Sequence, residues 1–442
     1  MNIPKNIKLI IESNYMLRNQ NIGEELKDIQ DRVIVEFEKL KKKFDIPEME
    51  IVCIDSFNKS SIVITDMENE KRYLIFDLYL IEILDIFEAS SYNIINITIP
   101  GIVPLLFIDE MMIRKDYNVA YECAKILEQQ VEFDRQWLPQ RFDHYKEFDM
   151  YSQEEKKIIE EGYWEYAVKK FSLYISTEIS FVLLHEIAHF FYEKGEVEIK
   201  KIKKQVTEIY NIVVEFEEVS HLAKFNVDNQ IKSKWKSIIE MIDENQNIYF
   251  SRKFVETLEN KEERELFIQS LIMYCANLKE SSVYTMSDKK KYIRECTCDL
   301  YACIQLIDQY SIKKYYEKSI ENIMINVMTY IGYMAFIDCI RYVAEEDNIT
   351  ENKFEKICDE MIERLNIVGY ALRERMPDLK YLLEDARNHF WDEFEVYYNK
   401  FRESYYCLIT YKNEISSSNN EKKMTDEMLL EQIMTILRRC GV

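Results

Sequence analysis

Phe181-Val182-Leu183-Leu184-His185-Glu186-Ile187-Ala188-His189-Phe190-Phe191 is an apolar run that carries two of the chain's five histidines, four positions apart with a glutamate beside the first. On an α-helix that spacing puts His185 and His189 on one face, about 6 Å apart along the axis, so both imidazoles can reach a single ion. Glu186 is then placed to act on water at the ion rather than on the ion itself. With His at 5 in 442 residues and Glu at roughly one in ten, only about 0.006 chance matches to HExxH are expected in such a chain. The competing reading is a central helix whose histidines are ordinary core residues. It would bury three polar groups in an apolar helix, which is costly unless each is paired.

The rest of the chain must then supply a fold around a buried helix. Only seven Gly and six Pro occur in 442 residues, and so few turn signals favour long helices over many short strands. From about residue 114 onward apolar residues recur at helical spacing. They predict helices near 117–131, 153–194, 201–218, 229–244, 261–279, 288–309, 313–345, 351–366, 380–402 and 425–439, with Gly195 as a stop for the HExxH helix and Ser416 to Asn420 as a loop before the last helix. The first quarter differs. A helix over 22–43 is followed by three short β-branched or aromatic runs, Met49–Ile54, Ser61–Thr65 and Lys71–Asp77, separated by polar turns. They predict a small antiparallel sheet, to which 94–108 could add a strand. The expected organisation is α+β and mostly helical: an N-terminal helix and sheet over 1–113, the zinc-site helices over 114–310, and a helical region over 311–442.

Hydrophobic residues make up 47% of the chain, enough for a sizeable core. The formal net charge of −22 disfavours nucleic acid as a partner. The acids lie in mixed runs such as Glu154-Glu155-Lys156-Lys157, which suit solvated helix faces better than an acidic tail. The N-terminus shows no apolar stretch or cleavage site of a secretory signal, and the apolar stretch 94–108, broken by Asn96, Pro100, Gly101 and Pro104, is too short to span a bilayer. A cytoplasmic chain with no membrane anchor is expected. The ten cysteines lack paired CxxC spacing and read as buried thiols in a reducing compartment.

A zinc site of the hydrolytic kind needs a third protein ligand and an open fourth position. In Arg294-Glu295-Cys296-Thr297-Cys298-Asp299-Leu300-Tyr301-Ala302-Cys303 two acids stand four apart on a predicted helix, so they project from one face. The apolar residues around them point that face inward, and buried acids need partners. Glu295 would complete a His₂Glu site for one Zn²⁺, and Asp299 could accept the free ring N–H of a ligand histidine. On a surface helix the same spacing would be a solvated face. Ligation by Cys296 and Cys298 is less attractive, because alternate positions on a helix face different ways. His144, His221 and His389 are isolated, and of these His389 is the candidate donor to a transition state.

HExxH followed by a helical ExxxD resembles the gluzincin metallopeptidases, and the order of sheet, His185-Glu186-Ile187-Ala188-His189 and helical remainder most resembles the Lit-type phage-exclusion peptidases. The resemblance rests on His185, Glu186, His189, Glu295 and Asp299. It implies a small sheet packed on a gluzincin-like active-site helix, one zinc per chain, Glu186 as the catalytic base, and endoproteolysis of a protein substrate, in that family translation elongation factor Tu. An inserted helical segment at about 196–287 and the helices after about 310 lie outside what the motif covers. A strand of the sheet, Tyr73 to Tyr79 or Ile94 to Ile99, would pair with extended substrate by edge addition. Two other readings stand beside this one: a regulatory protease resembling the ImmA/IrrE group, which cleaves repressors, and a helical interaction protein that keeps a metal site without hydrolysis.

Overall fold

The computed structural model describes residues 4–19, 22–65, 71–91, 98–137, 176–223, 286–310, 316–346, 352–417 and 424–440. The helices expected at 229–244 and 261–279, and His144, lie outside them. The chain divides into two compact units, one of residues 1–187, 305–361 and 381–442, the other of 188–304 and 362–380.

The first unit opens with helix α1 (Lys5–Asn14) and, after a short 3₁₀ turn, α2 (Lys27–Lys43). α2 buries Val33, Phe37 and Leu40 along one stripe and carries Asp28 in its first turn and Lys41, Lys42 and Lys43 in its last, charges that complement the helix dipole. Three strands follow, β1 (Met49–Ile54), β2 (Ile62–Thr65) and β3 (Arg72–Asp77), in the order β1-β3-β2. The sheet is mixed and not antiparallel throughout: β3 pairs antiparallel with β2, from Ile62↔Ile75 to Thr65↔Arg72, but parallel with β1, from Met49↔Arg72 to Ile54↔Asp77. Residues 55–61, read from sequence as a hairpin turn, instead carry the chain from one edge of the sheet to the other.

Buried Asp77 fastens that crossover. Its carboxylate accepts from the backbone N–H of Ser56 (3.1 Å), Ser60 (3.4 Å) and Tyr79 (3.2 Å) and from the Ser56 hydroxyl. Because β3 is central, with Tyr73 to Asp77 all buried, its backbone is already paired on both sides, and Tyr73 to Tyr79 is not a free edge. Among the described residues β1 and β2 are the edge strands of this sheet, and on β2 Ile62 is 48% exposed. One face of the sheet packs Val52, Ile54, Tyr73 and Ile75 against Ile7 and Ile11 of α1.

β3 runs directly into α3 (Leu78–Ser91), followed by α4 (Ile99–Arg114) and α5 (Tyr117–Trp137). The stretch expected to add a strand is thus helical from Ile99 onward. Pro100 falls in the first turn, where no donor is needed, and Pro104 sits inside at the loss of one backbone hydrogen bond. Burial of Ile99 and of every residue from Gly101 to Met112 offsets that loss.

Later helices are α6 (176–194), α7 (Val197–Ala223), α8 (Met286–Tyr310), α9 (Tyr316–Glu345), α10 (Asn352–Arg375), α11 (Lys380–Ser417) and α12 (Asp426–Cys440). In α9 the segment Ile320–Glu345 is long and apolar enough to cross a membrane by length and composition, with mean hydropathy 1.6, and 67% of that window is buried within the protein. Its Gly332 lets α11 approach so closely that a Cβ there would lie 2.4 Å from a Phe394 ring carbon. Around it Phe336 stacks on Phe401 (4.1 Å) and Phe394 (5.2 Å), and Tyr333 on Phe87 of α3 (4.5 Å). In the second unit Arg375 of α10 donates to Glu198 (2.9 Å) and Gln205 (2.7 Å) of α7, and Phe191 meets the edge of Tyr301 on α8 at 5.9 Å.

Candidate metal centre

The decisive stretch folds as expected. α6 buries residues 177–184 together with Ile187, Ala188, Phe190 and Phe191, while His185, Glu186 and His189 are half-buried. Gly195 ends it in the left-handed region at φ 68°, with its N–H bonded to Tyr192 O (3.2 Å) and that of Glu196 to Phe191 O (3.1 Å). These are the paired bonds of a Schellman cap. The helix face so held brings one donor atom each of His185, Glu186 and His189 within 4.8 Å of one another, a group that could hold a metal ion.

α8 supplies the other residues singled out by sequence. Glu295 Oε2 lies 3.5 Å from His189 Nε2, and its Oε1 accepts from Arg294 at 3.3 Å. Two donors so close fit one coordination sphere, since ligands about 2 Å from a tetrahedral ion lie roughly 3.3 Å apart. Asp299, fully buried, is gripped by Arg364 of α10 through two parallel hydrogen bonds, Nη2 to Oδ1 at 2.8 Å and Nε to Oδ2. At His189 the atom found beside Nδ1 is Cys298 Sγ, at 3.3 Å. The ring-orienting contact foreseen for Asp299 at a histidine is thus seen here from Cys298. Burial pushes the Cys296 and Cys303 thiols up.

Of the remaining histidines, His389 stands on the exposed side of α11, its Nδ1 2.7 Å from Glu321 of α9. The sequence reading gave three residues no such part, having weighed Cys298 only as a metal ligand. Cys298 could have been found, since it stands three positions after Glu295 on the same helix face. Arg364 could not, being 65 positions from its partner. Tyr15 is the third: it follows α1 with extended backbone and packs on the apolar cluster of α1, β1 and β3. Burial holds this phenol well above its usual range.

Compared with protein-family models, with curated proteins and with solved structures, the chain matches none. The functional reading therefore rests on the site itself.

Proposed function

We propose that the chain is a cytoplasmic zinc-dependent endopeptidase. The observation that carries this reading is the convergence of His185, Glu186 and His189 on one helix face, with a carboxylate, Glu295, beside the second histidine. Two imidazoles and one carboxylate make a donor set suited to Zn²⁺ with a position left open, as hydrolytic sites require. Zinc, when bound, supplies acidification of water and polarisation of a carbonyl.

His185, His189 and Glu295 are the residues that would hold the ion. Glu186 adjoins the ligands and serves as the base: it takes a proton from the attacking water and hands it to the leaving amine. Cys298 orients the His189 ring through Nδ1, and Arg364 fixes the α8 turn that carries Glu295. An extended peptide would add to the sheet along edge strand β2.

The resemblance to Lit-type peptidases supports a role in phage defence, with a host protein as substrate and translation elongation factor Tu the first to test. Two measurements test the proposal. The purified chain should carry one zinc, lost in the His185→Ala/His189→Ala variant, and elongation factor Tu incubated with wild-type protein and phage lysate should be cut. Full zinc in the double variant would overturn the metal assignment; intact elongation factor Tu would remove that substrate.

A further inference from the structure

The two carboxylate oxygens of Glu295 have different neighbours. Oε2 lies 3.5 Å from His189 Nε2, while Oε1 accepts a hydrogen bond from Arg294 Nη2 at 3.3 Å. Helix spacing does not force the second contact. Consecutive residues of an α-helix point about 100° apart, so Arg294 bends its long side chain around the turn to reach the residue beside it. In that position its Nε is out of contact with water and meets no acceptor among the described residues, although the side chain as a whole is 43% exposed. An arginine placed only for solvation would keep that donor wet. The ring opposite is held in the same manner, with Cys298 Sγ against His189 Nδ1 at 3.3 Å. Carboxylate and imidazole are thus each fixed through one atom, and the atoms left to face one another are Oε2 and Nε2.

We propose that Arg294 is a positioning residue that restricts Glu295 to one oxygen at the metal, and so keeps a coordination position open for water. This rests on the metal reading above. A carboxylate can grip an ion with one oxygen or with both. With both, His185, His189 and Glu295 would already supply four donors, and an ion that favours four-coordination would have no place for the water on which Glu186 acts. The hydrogen bond from Arg294 is charge-assisted and commits Oε1. A guanidinium cannot follow that oxygen to a cation, because like charges repel, so turning Oε1 to the ion breaks the bond. Both side chains are partly exposed, which leaves the pair little weight in overall stability; its effect is on where the carboxylate points.

The test loads the full chain with Co²⁺ in place of zinc, because the visible absorption of Co²⁺ reports its geometry, strong when four-coordinate and weak at higher coordination. Wild type, Arg294→Met and Arg294→Lys are compared at saturating cobalt, with bound cobalt and melting temperature measured for each. Wild type should show the strong spectrum. Arg294→Met, which has an apolar stem and no donor, should bind one Co²⁺ and melt as wild type does, yet lose most of the intensity as Oε1 turns to the ion. Arg294→Lys keeps a charged donor on a flexible stem and should retain most of it. A merely structural role would move the melting temperature and leave the spectrum alone. An Arg294→Met spectrum as strong as that of wild type, a folded Arg294→Met chain that takes up no cobalt, or a weak spectrum in wild type would each overturn the role of Arg294 while leaving the metal reading intact. A wild-type chain that takes up no cobalt would overturn the metal reading and this role with it.

Discussion

Replacing Arg364 with methionine should strike the second unit harder than removing its partner. Asp299 is fully buried and Arg364 about a quarter exposed (24%), so the two ends of the pair differ in access to water. Arg364→Met strands a carboxylate in the protein interior. Removing one partner of a buried pair costs about 3–5 kcal/mol, and because solvent screens the exposed end of Arg364 the lower figure, about 3 kcal/mol, is expected. Asp299→Ala leaves a guanidinium that can extend toward water, at about half that cost. The double variant Arg364→Met/Asp299→Leu has no charge to strand and should fall within about 1 kcal/mol of wild type. Hydrogen exchange of the backbone amides over Met286–Tyr310 reads the local opening free energy directly; a loss of about 3 kcal/mol is a roughly 150-fold rise in exchange rate. Since Glu295 lies one turn before Asp299, zinc affinity in Arg364→Met should drop about 10–100-fold. If Asp299→Ala proved the more damaging, or if Arg364→Met opened α8 no faster than wild type, the reading of this pair would be wrong.

The other expectations concern packing, protonation and ring orientation. Gly332→Ala drives a methyl into Phe394 and should cost about 1–3 kcal/mol in urea unfolding, whereas Gly369→Ala in α10, with nothing within 4 Å of the added carbon, should gain about 0.5–1 kcal/mol from helix propensity. Burial pushes Asp77 up to about 7 and Asp109 up to about 6, from 3.8. Between 3.8 and those values the folded chain holds protons the unfolded chain has lost, so each acid lowers stability by about 1.4 kcal/mol per pH unit as pH rises through that window, with no further loss above it. Denaturant midpoints should accordingly fall from pH 5 to pH 7, and in Asp77→Asn the fall should be shallower. Cys298→Ala should weaken zinc binding by up to about ten-fold through a looser His189 ring while Cys303→Ala leaves it unchanged, which competition with a chelating dye can measure.

What could be read in the sequence, and what could not, follows the range of each interaction. The HExxH helix, its Gly195 stop and most helices beyond residue 114 were legible because spacing, capping and one-sided burial are local properties. α4 was not: almost every residue from Ile99 to Met112 is buried, so the stretch lacks the one-sided pattern by which a helix is recognised, its β-branched residues favour strand, and Pro104 argues against a helix interior. The three strands were placed correctly but paired wrongly, since the partner of β1 depends on Asp77 anchoring residues 55–61, a contact made across 21 positions. At the site the same limit holds. Two acids four apart on α8 announced an inward face, but that Asp299 meets Arg364 and that Cys298 meets His189 is decided by helices far apart in the chain.

The central claim is that Glu186 moves protons at a zinc centre built from His185, His189 and Glu295. Its most direct test is quantitative mass spectrometry of new protein N-termini in bacteria expressing wild type or Glu186→Gln, each with its zinc content measured, before and after phage challenge. The account predicts equal zinc in both proteins, with new internal N-termini in a host protein only where Glu186 is present. Equal zinc with the same fragments in both strains, or with none in either across several phages, would contradict it and leave a metal-binding interaction protein in its place.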